Sequence, residues 1–221
     1  MRKWYAVLLS ILLILGLTPE KQFSQFRLKL GPQTGLNFNI GTGSDMPKTS
    51  SGFGFFIGGT VDMNFSPMVG LITNLQFYDN RSSSFSESDT FQGIKYTVEN
   101  SSSIAYFMIE PLFKLSIPRS GFYFVMGPAV GFNVQATGEA KITSANDQIT
   151  FNDGSTKQSS SIDNMNARFE VKLGAGYDID LGPLYLTPQL TFGYGITEVR
   201  EELSARILTI QALVAVKFNL I

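Results

Sequence analysis

Residues 167–181 read Ala-Arg-Phe-Glu-Val-Lys-Leu-Gly-Ala-Gly-Tyr-Asp-Ile-Asp-Leu. Val171, Leu173, Ile179 and Leu181 fall on one parity; Arg168, Glu170, Lys172, Gly174, Gly176, Asp178 and Asp180 fall on the other. Successive side chains of a strand point to opposite faces, so the stretch predicts a strand with one apolar and one charged face. The rest of the chain repeats the pattern. Leu184–Val199 sets Leu184, Leu186, Leu190 and Ile196 against Tyr185, Thr187, Gln189, Thr191, Gly193 and Gly195. Ala205–Leu220 sets Leu208, Ile210, Val214, Val216 and Leu220 against Thr209, Gln211, Ala215, Lys217 and Asn219. Phe122–Ala136 opposes Met126, Val130 and Val134 to Tyr123, Gly127, Gly131, Asn133 and Gln135.

Four earlier segments alternate in the same way. From Phe26, Leu28, Leu30, Leu36 and Ile40 oppose Arg27, Lys29, Gln33, Asn37 and Asn39. In Phe53–Phe65, Ile57, Val61 and Met63 oppose Gly54, Gly58, Thr60, Asp62 and Asn64. Val69–Asp79 opposes Val69, Leu71 and Leu75 to Gly70, Asn74 and Gln76, and Ser103–Ile117 opposes Ile109, Leu115 and Ile117 to Tyr106, Glu110, Lys114 and Ser116. Registers set on aliphatic residues alone send about 14 of the 19 phenylalanines to the apolar face and only Phe56 to the polar one, as a lipid-facing band requires. The charges do the reverse: Asp79, Glu198, Arg200 and Arg206 take the apolar parity, and only near strand tips. The mature chain has no Trp, and its lipid-facing tyrosines are Tyr177 and Tyr194, so phenylalanine takes over much of the aromatic girdle.

Connections alternate in length. Ser66–Met68, Pro118–Gly121 and Gly182-Pro183 are tight turns, whereas Gly41–Gly52, Arg81–Ser102 and Thr137–Asn166 are long and polar; the link near Glu201–Ser204 is short. Strands of about 11–17 residues with short turns at one end and long loops at the other predict an all-β fold. The expected form is an eight-stranded antiparallel transmembrane β-barrel, an up-and-down meander in the bacterial outer membrane with both termini periplasmic. A soluble calyx of eight strands has the opposite polarity, with apolar residues inside. Here the inward face carries Arg27, Lys29, Asp62, Glu110, Lys114, Arg168, Glu170, Lys172, Asp178, Asp180 and Lys217, an interior charge network close to neutral. Asp62 falls within about one pair of Lys29 across the first long loop, which predicts a cross-strand ion pair.

Residues 1–24 are expected to be a signal peptide and residues 25–221 the barrel domain. Arg2 and Lys3 precede a run of about 14 apolar residues, too short for a membrane helix, broken at Thr18-Pro19. The whole chain is nearly balanced, with 17 Lys+Arg against 18 Asp+Glu, which removes the electrostatic case for nucleic acid. Its 221 residues contain no Cys and no His, so there is no disulfide, no thiol nucleophile and no imidazole base or metal ligand.

Phe26-Arg27-Leu28-Lys29-Leu30-Gly31-Pro32-Gln33-Thr34-Gly35-Leu36-Asn37-Phe38 and the "G-P-x-x-G" repeat Gly127-Pro128-Ala129-Val130-Gly131 resemble the outer-membrane barrels of Bacteroidota called porin-family or PorT-like proteins. The resemblance spans Phe26 to Ile221 and implies fold and location, not a molecular activity. The last strand resembles the signal read by the barrel-assembly machinery, but ends in Ile221 where that signal has an aromatic residue.

Enzymes built on small outer-membrane barrels mostly activate Ser with His, and this chain offers no such base. Glu110 with Lys114 is the pair that most resembles a catalytic one, and it reads better as a structural ion pair. Asn146-Asp147 and Asn152-Asp153-Gly154-Ser155 lack the spacing of a calcium loop; Asp-Gly there predicts a hairpin tip. No catalytic, cofactor-binding or metal site is expected, and no cofactor. The expected function is non-enzymatic: a monomeric barrel with a side-chain-filled interior and exposed loops, serving envelope integrity or surface binding. The alternatives are a narrow channel for small or apolar solutes and, third, an envelope enzyme or secretion accessory. The expected partners are outer-membrane lipid and lipopolysaccharide, the assembly machinery during insertion, and a surface partner through the long loops.

Overall fold

The computed structural model describes residues 26–43, 50–145, 148–163, 165–199 and 205–220. The expected signal peptide, the tip of the first long loop and the link near Glu201–Ser204 lie outside them. Among the described residues ten strands follow one another: β1 Arg27–Thr42, β2 Ser51–Asn64, β3 Val69–Phe91, β4 Ile94–Ser116, β5 Phe122–Ser144, β6 Lys157–Ser161, β7 Arg168–Tyr177, β8 Ile179–Asp180, β9 Leu184–Gly195 and β10 Arg206–Asn219. Eight of them close a ring, β1-β2-β3-β4-β5-β7-β9-β10, with every neighbouring pair antiparallel and β10 bonded back to β1. Closure leaves no free edge within the ring, which lets unsatisfied backbone groups be avoided in lipid. β6 pairs antiparallel with the far part of β5, and β8 continues β7 past a break at Asp178.

The expected polarity holds through most of the wall. Leu36, Phe53, Phe55, Phe113, Phe124, Phe132, Phe169, Leu190 and Phe192 are exposed on the outside, while Phe56 is fully buried inside, the one phenylalanine expected on the polar face. Tyr177 and Tyr194 are exposed outside as expected, and half-buried Tyr78 packs on Phe55 with ring centroids 5.6 Å apart.

Two departures have one physical cause. β-bulges shift the register between Gln76 and Asp79 of β3 and between Ala105 and Tyr106 of β4 against β5, and an extra residue reverses the parity beyond it. Asp79, expected on the apolar face, is therefore buried inside, and Gln135, expected inside, is exposed. The second departure is length. Arg81–Ser102 is not a loop: β3 and β4 stay paired from Arg81↔Ile104 to Phe91↔Ile94, closed by Gln92 and Gly93. Both have positive φ (50° and 83°), the combination a two-residue type I′ turn requires. β5 and β6 likewise pair from Thr137↔Ser161 to Lys141↔Lys157. Asp153-Gly154 forms a turn in the segment that joins them, as the hairpin reading predicted. The two hairpins make a four-stranded sheet standing above the ring.

Candidate functional site

The interior is filled in layers, and their order can be read along single strands. On β4 the inward positions run Lys114, Leu112, Glu110; on β10 they run Lys217, Ala215, Leu213, Gln211. Charge, apolar plate and charge follow each other from the short-turn end upward.

The lower charge layer holds Lys29, Lys114 and Lys217 with Asp62 and Asp178. Asp62 accepts from Lys217 at 2.6 Å, Lys114 at 2.8 Å and Asn64 at 3.1 Å. Asp178, freed by the break between β7 and β8, accepts from Lys217 at 2.8 Å, Lys114 at 3.1 Å and Thr187 at 2.8 Å. Lys29 reaches Asp178 only at 3.4 Å, and its ammonium sits 3.4 Å from the ring centre of Tyr185.

Above this layer lie Ile72, Leu112, Tyr123 and Val125 on one side and Phe56, Leu213 and Ala215 on the other. The Tyr123 hydroxyl donates to Gln189 at 3.0 Å, and its ring occupies the space opened by Gly176. The upper charge layer holds Arg81, Arg168 and Lys172 with Asp79, Glu110 and Glu170, all buried. Arg81 bonds Asp79 at 2.7 Å and Glu170 at 2.5 Å; Arg168 also bonds Glu170, and Lys172 bonds Glu110. Asn37 donates to Asp79 at 2.7 Å, Gln76 to Glu110 at 2.9 Å and Arg81 to Thr209 at 2.6 Å. An apolar cap of Ile104, Tyr106, Met108, Ala129 and Ala136 closes the top, with Ile162, Met165 and Val199 against it.

Of the eleven network residues read from the sequence, Lys29, Asp62, Glu110, Lys114, Arg168, Glu170, Lys172 and Lys217 are buried inside, and Asp178 lies at the edge of the lower layer. Arg27 and Asp180 are exposed at the rim, because they are the outermost inward positions of their strands. The expected pairings are corrected. Glu110 and Lys114 do not bond: each strand residue advances about 3.3 Å, so four residues put them in different layers. Lys29 and Asp62 stand opposite each other in the β1–β2 register, yet Asp62 is taken by Lys114 and Lys217. The sequence reading missed Asp79 and Arg81, whose only trace is the doublet Phe77-Tyr78 where one aromatic is expected to face out.

Outside the wall, Lys157 and Glu139 pair at 2.8 Å on the raised sheet. At the β5–β6 turn the Ser155 hydroxyl and backbone N–H donate to Asp153, holding its carboxyl below its ordinary range.

A closed ring with an apolar outer belt and a charged, filled interior defines a transmembrane β-barrel of eight strands. The chain belongs to the family described as Outer membrane protein beta-barrel domain, which matches residues 21–201, and the family places it in the outer membrane. Among solved structures, Ail of Yersinia pestis, in complex with the heparin analogue sucrose octasulfate, is 12% identical with a TM-score of 0.42, over 86% of this chain and 99% of that one. Neisserial surface protein A (NspA) is 11% identical with a TM-score of 0.36, over 87% and 97% of the two chains. OprG from Pseudomonas aeruginosa is 7% identical with a TM-score of 0.36, over 88% and 94%. No curated protein matches.

Proposed function

We propose that this protein is a non-conducting, non-enzymatic outer-membrane barrel that acts through its raised hairpins, as a surface-binding element or a contributor to envelope integrity. The observation that carries the reading is the layered interior: the side chains of two charge layers are bonded to one another, with an apolar plate packed between them and an apolar cap above. An ion-selective pore would instead show a continuous lumen with rings of one charge sign. The upper layer has three cations and three anions, which speaks against the channel alternative. The reading includes a Bacteroidota or PorT-like origin, periplasmic termini, a monomer, removal of residues 1–24 on export, lipopolysaccharide around the wall and insertion by the barrel-assembly machinery.

The test has two arms. Purified protein in planar bilayers should give no steady conductance; stable single-channel steps would replace the reading with the channel. Deleting residues 85–98, the tip of the β3–β4 hairpin, should leave the barrel folded and abolish binding in a surface-partner screen. Unchanged binding would move the activity off that hairpin.

A further inference from the structure

We propose that the short-turn mouth of the barrel is a binding vestibule for an oxyanion, a phosphate or a carboxylate, with Lys29 as its central donor. The vestibule has a volume of about 910 Å³, within the ~300–1,000 Å³ of small-ligand sites. Its lining includes Arg27, Lys29, Arg119, Asp178, Asp180 and Tyr185, and the buried lower charge layer forms its floor.

Charge balance in that floor is the first reason. Among the described residues, three buried ammonium groups, Lys29, Lys114 and Lys217, share this layer with two carboxylates, Asp62, buried, and Asp178, at its edge. A buried charge without a counter-charge is costly, so one positive charge in this layer calls for an anion from outside. Hydrogen bonding identifies which lysine is short of partners. Lys114 and Lys217 each bond both aspartates at 2.6–3.1 Å, whereas among the described residues Lys29 has a single hydrogen bond, at 3.4 Å, and the face of Tyr185. An ammonium carries three donors, and the neutral ring supplies no acceptor oxygen.

The rim is the second reason. Arg27 and Arg119 are exposed at the same mouth, and the Asp180 carboxylate, the other acid of the lining, already accepts from the Gly182 N–H at 2.8 Å. Arg119 sits in the Pro118–Gly121 turn with φ of 68°, and it lines the vestibule. Guanidinium groups grip planar and tetrahedral oxyanions through paired N–H donors, which favours these anions over chloride. The assignment does not depend on which way the barrel faces.

The full chain, purified in a zwitterionic detergent, should be titrated with sodium phosphate, sodium succinate and sodium chloride at constant ionic strength, following the thermal transition and phosphate 31P NMR line width. Phosphate or succinate should raise the transition temperature saturably while chloride does not, and the two salts report which oxyanion is preferred. Lys29→Gln should weaken that response about tenfold or more, the value of a lost charge-assisted hydrogen bond. It should also raise stability in chloride alone, because it restores two cations to two anions in the floor. Arg119→Gln, on an exposed turn, should weaken the response while leaving the fold intact, and Lys157→Gln at the opposite end should not change it. Equal responses to all three salts, or an unchanged phosphate response in both Lys29→Gln and Arg119→Gln, would overturn the proposal.

Discussion

Arg81 of β3 and Glu170 of β7 bond at 2.5 Å although β4 and β5 separate their strands in the wall, so the contact spans the barrel lumen. Arg81 thereby ties opposite walls together, and both side chains are fully buried. Removing one partner of a buried pair leaves the other charge without compensation, at a cost of about 3–5 kcal/mol. Arg81→Met should lower the unfolding free energy by that order, read from urea unfolding in lipid vesicles. Asp79→Asn added to it should recover part of the loss, since one of the stranded carboxylates is gone. Additive losses in the double variant would argue against a shared network.

Closure predicts resistance to SDS. The ring has no free edge from which detergent can unzip it, so unheated protein should migrate differently from boiled protein. Circular dichroism of the unheated form should be dominated by β structure. Equal mobility with a helical spectrum would exclude the barrel.

Membrane orientation is read by trypsin on intact cells. Lys95 near the β3–β4 turn and Lys157 in β6 are exposed on the raised sheet, and Arg119 is exposed at the opposite end. With the outer membrane intact, cleavage should occur at the hairpin lysines and spare Arg119. Cleavage at Arg119 alone would invert the orientation.

The division between legible and illegible residues follows from parity. Alternation assigns Lys172 and Thr191 to the interior because β7 and β9 run without interruption, and the structure buries both. Parity fails at a bulge, and the doublet Phe77-Tyr78 does not announce one by itself: Phe55-Phe56 is the same doublet, and there the second ring points inward. The pairing of Lys114 with Asp62 was illegible for a different reason. In-or-out is a property of one strand, but partner choice depends on strand tilt and on long side chains crossing the lumen. The raised hairpins read as loops because Ser82–Ser88 and Ser101–Ser103 lack the apolar alternation of a half-buried strand, yet both faces are polar for a sheet standing in water.

Tyr123 and Gly176 face each other across the β5–β7 pair, and a Cβ built on Gly176 would lie 2.3 Å from the Tyr123 hydroxyl oxygen and 2.4 Å from Cζ. The ring cannot swing away freely, because its hydroxyl donates to Gln189 and its face lies under the Lys114 ammonium at 4.5 Å. Gly176→Ala should therefore destabilise the barrel by about 1–3 kcal/mol, the usual cost of overpacking a filled core. The same substitution in a Tyr123→Leu background should cost much less, since the clashing atoms are gone. A double-mutant cycle on urea unfolding in vesicles measures the difference. If Gly176→Ala cost the same with and without the ring, the glycine would be serving strand curvature and not the space that Tyr123 fills.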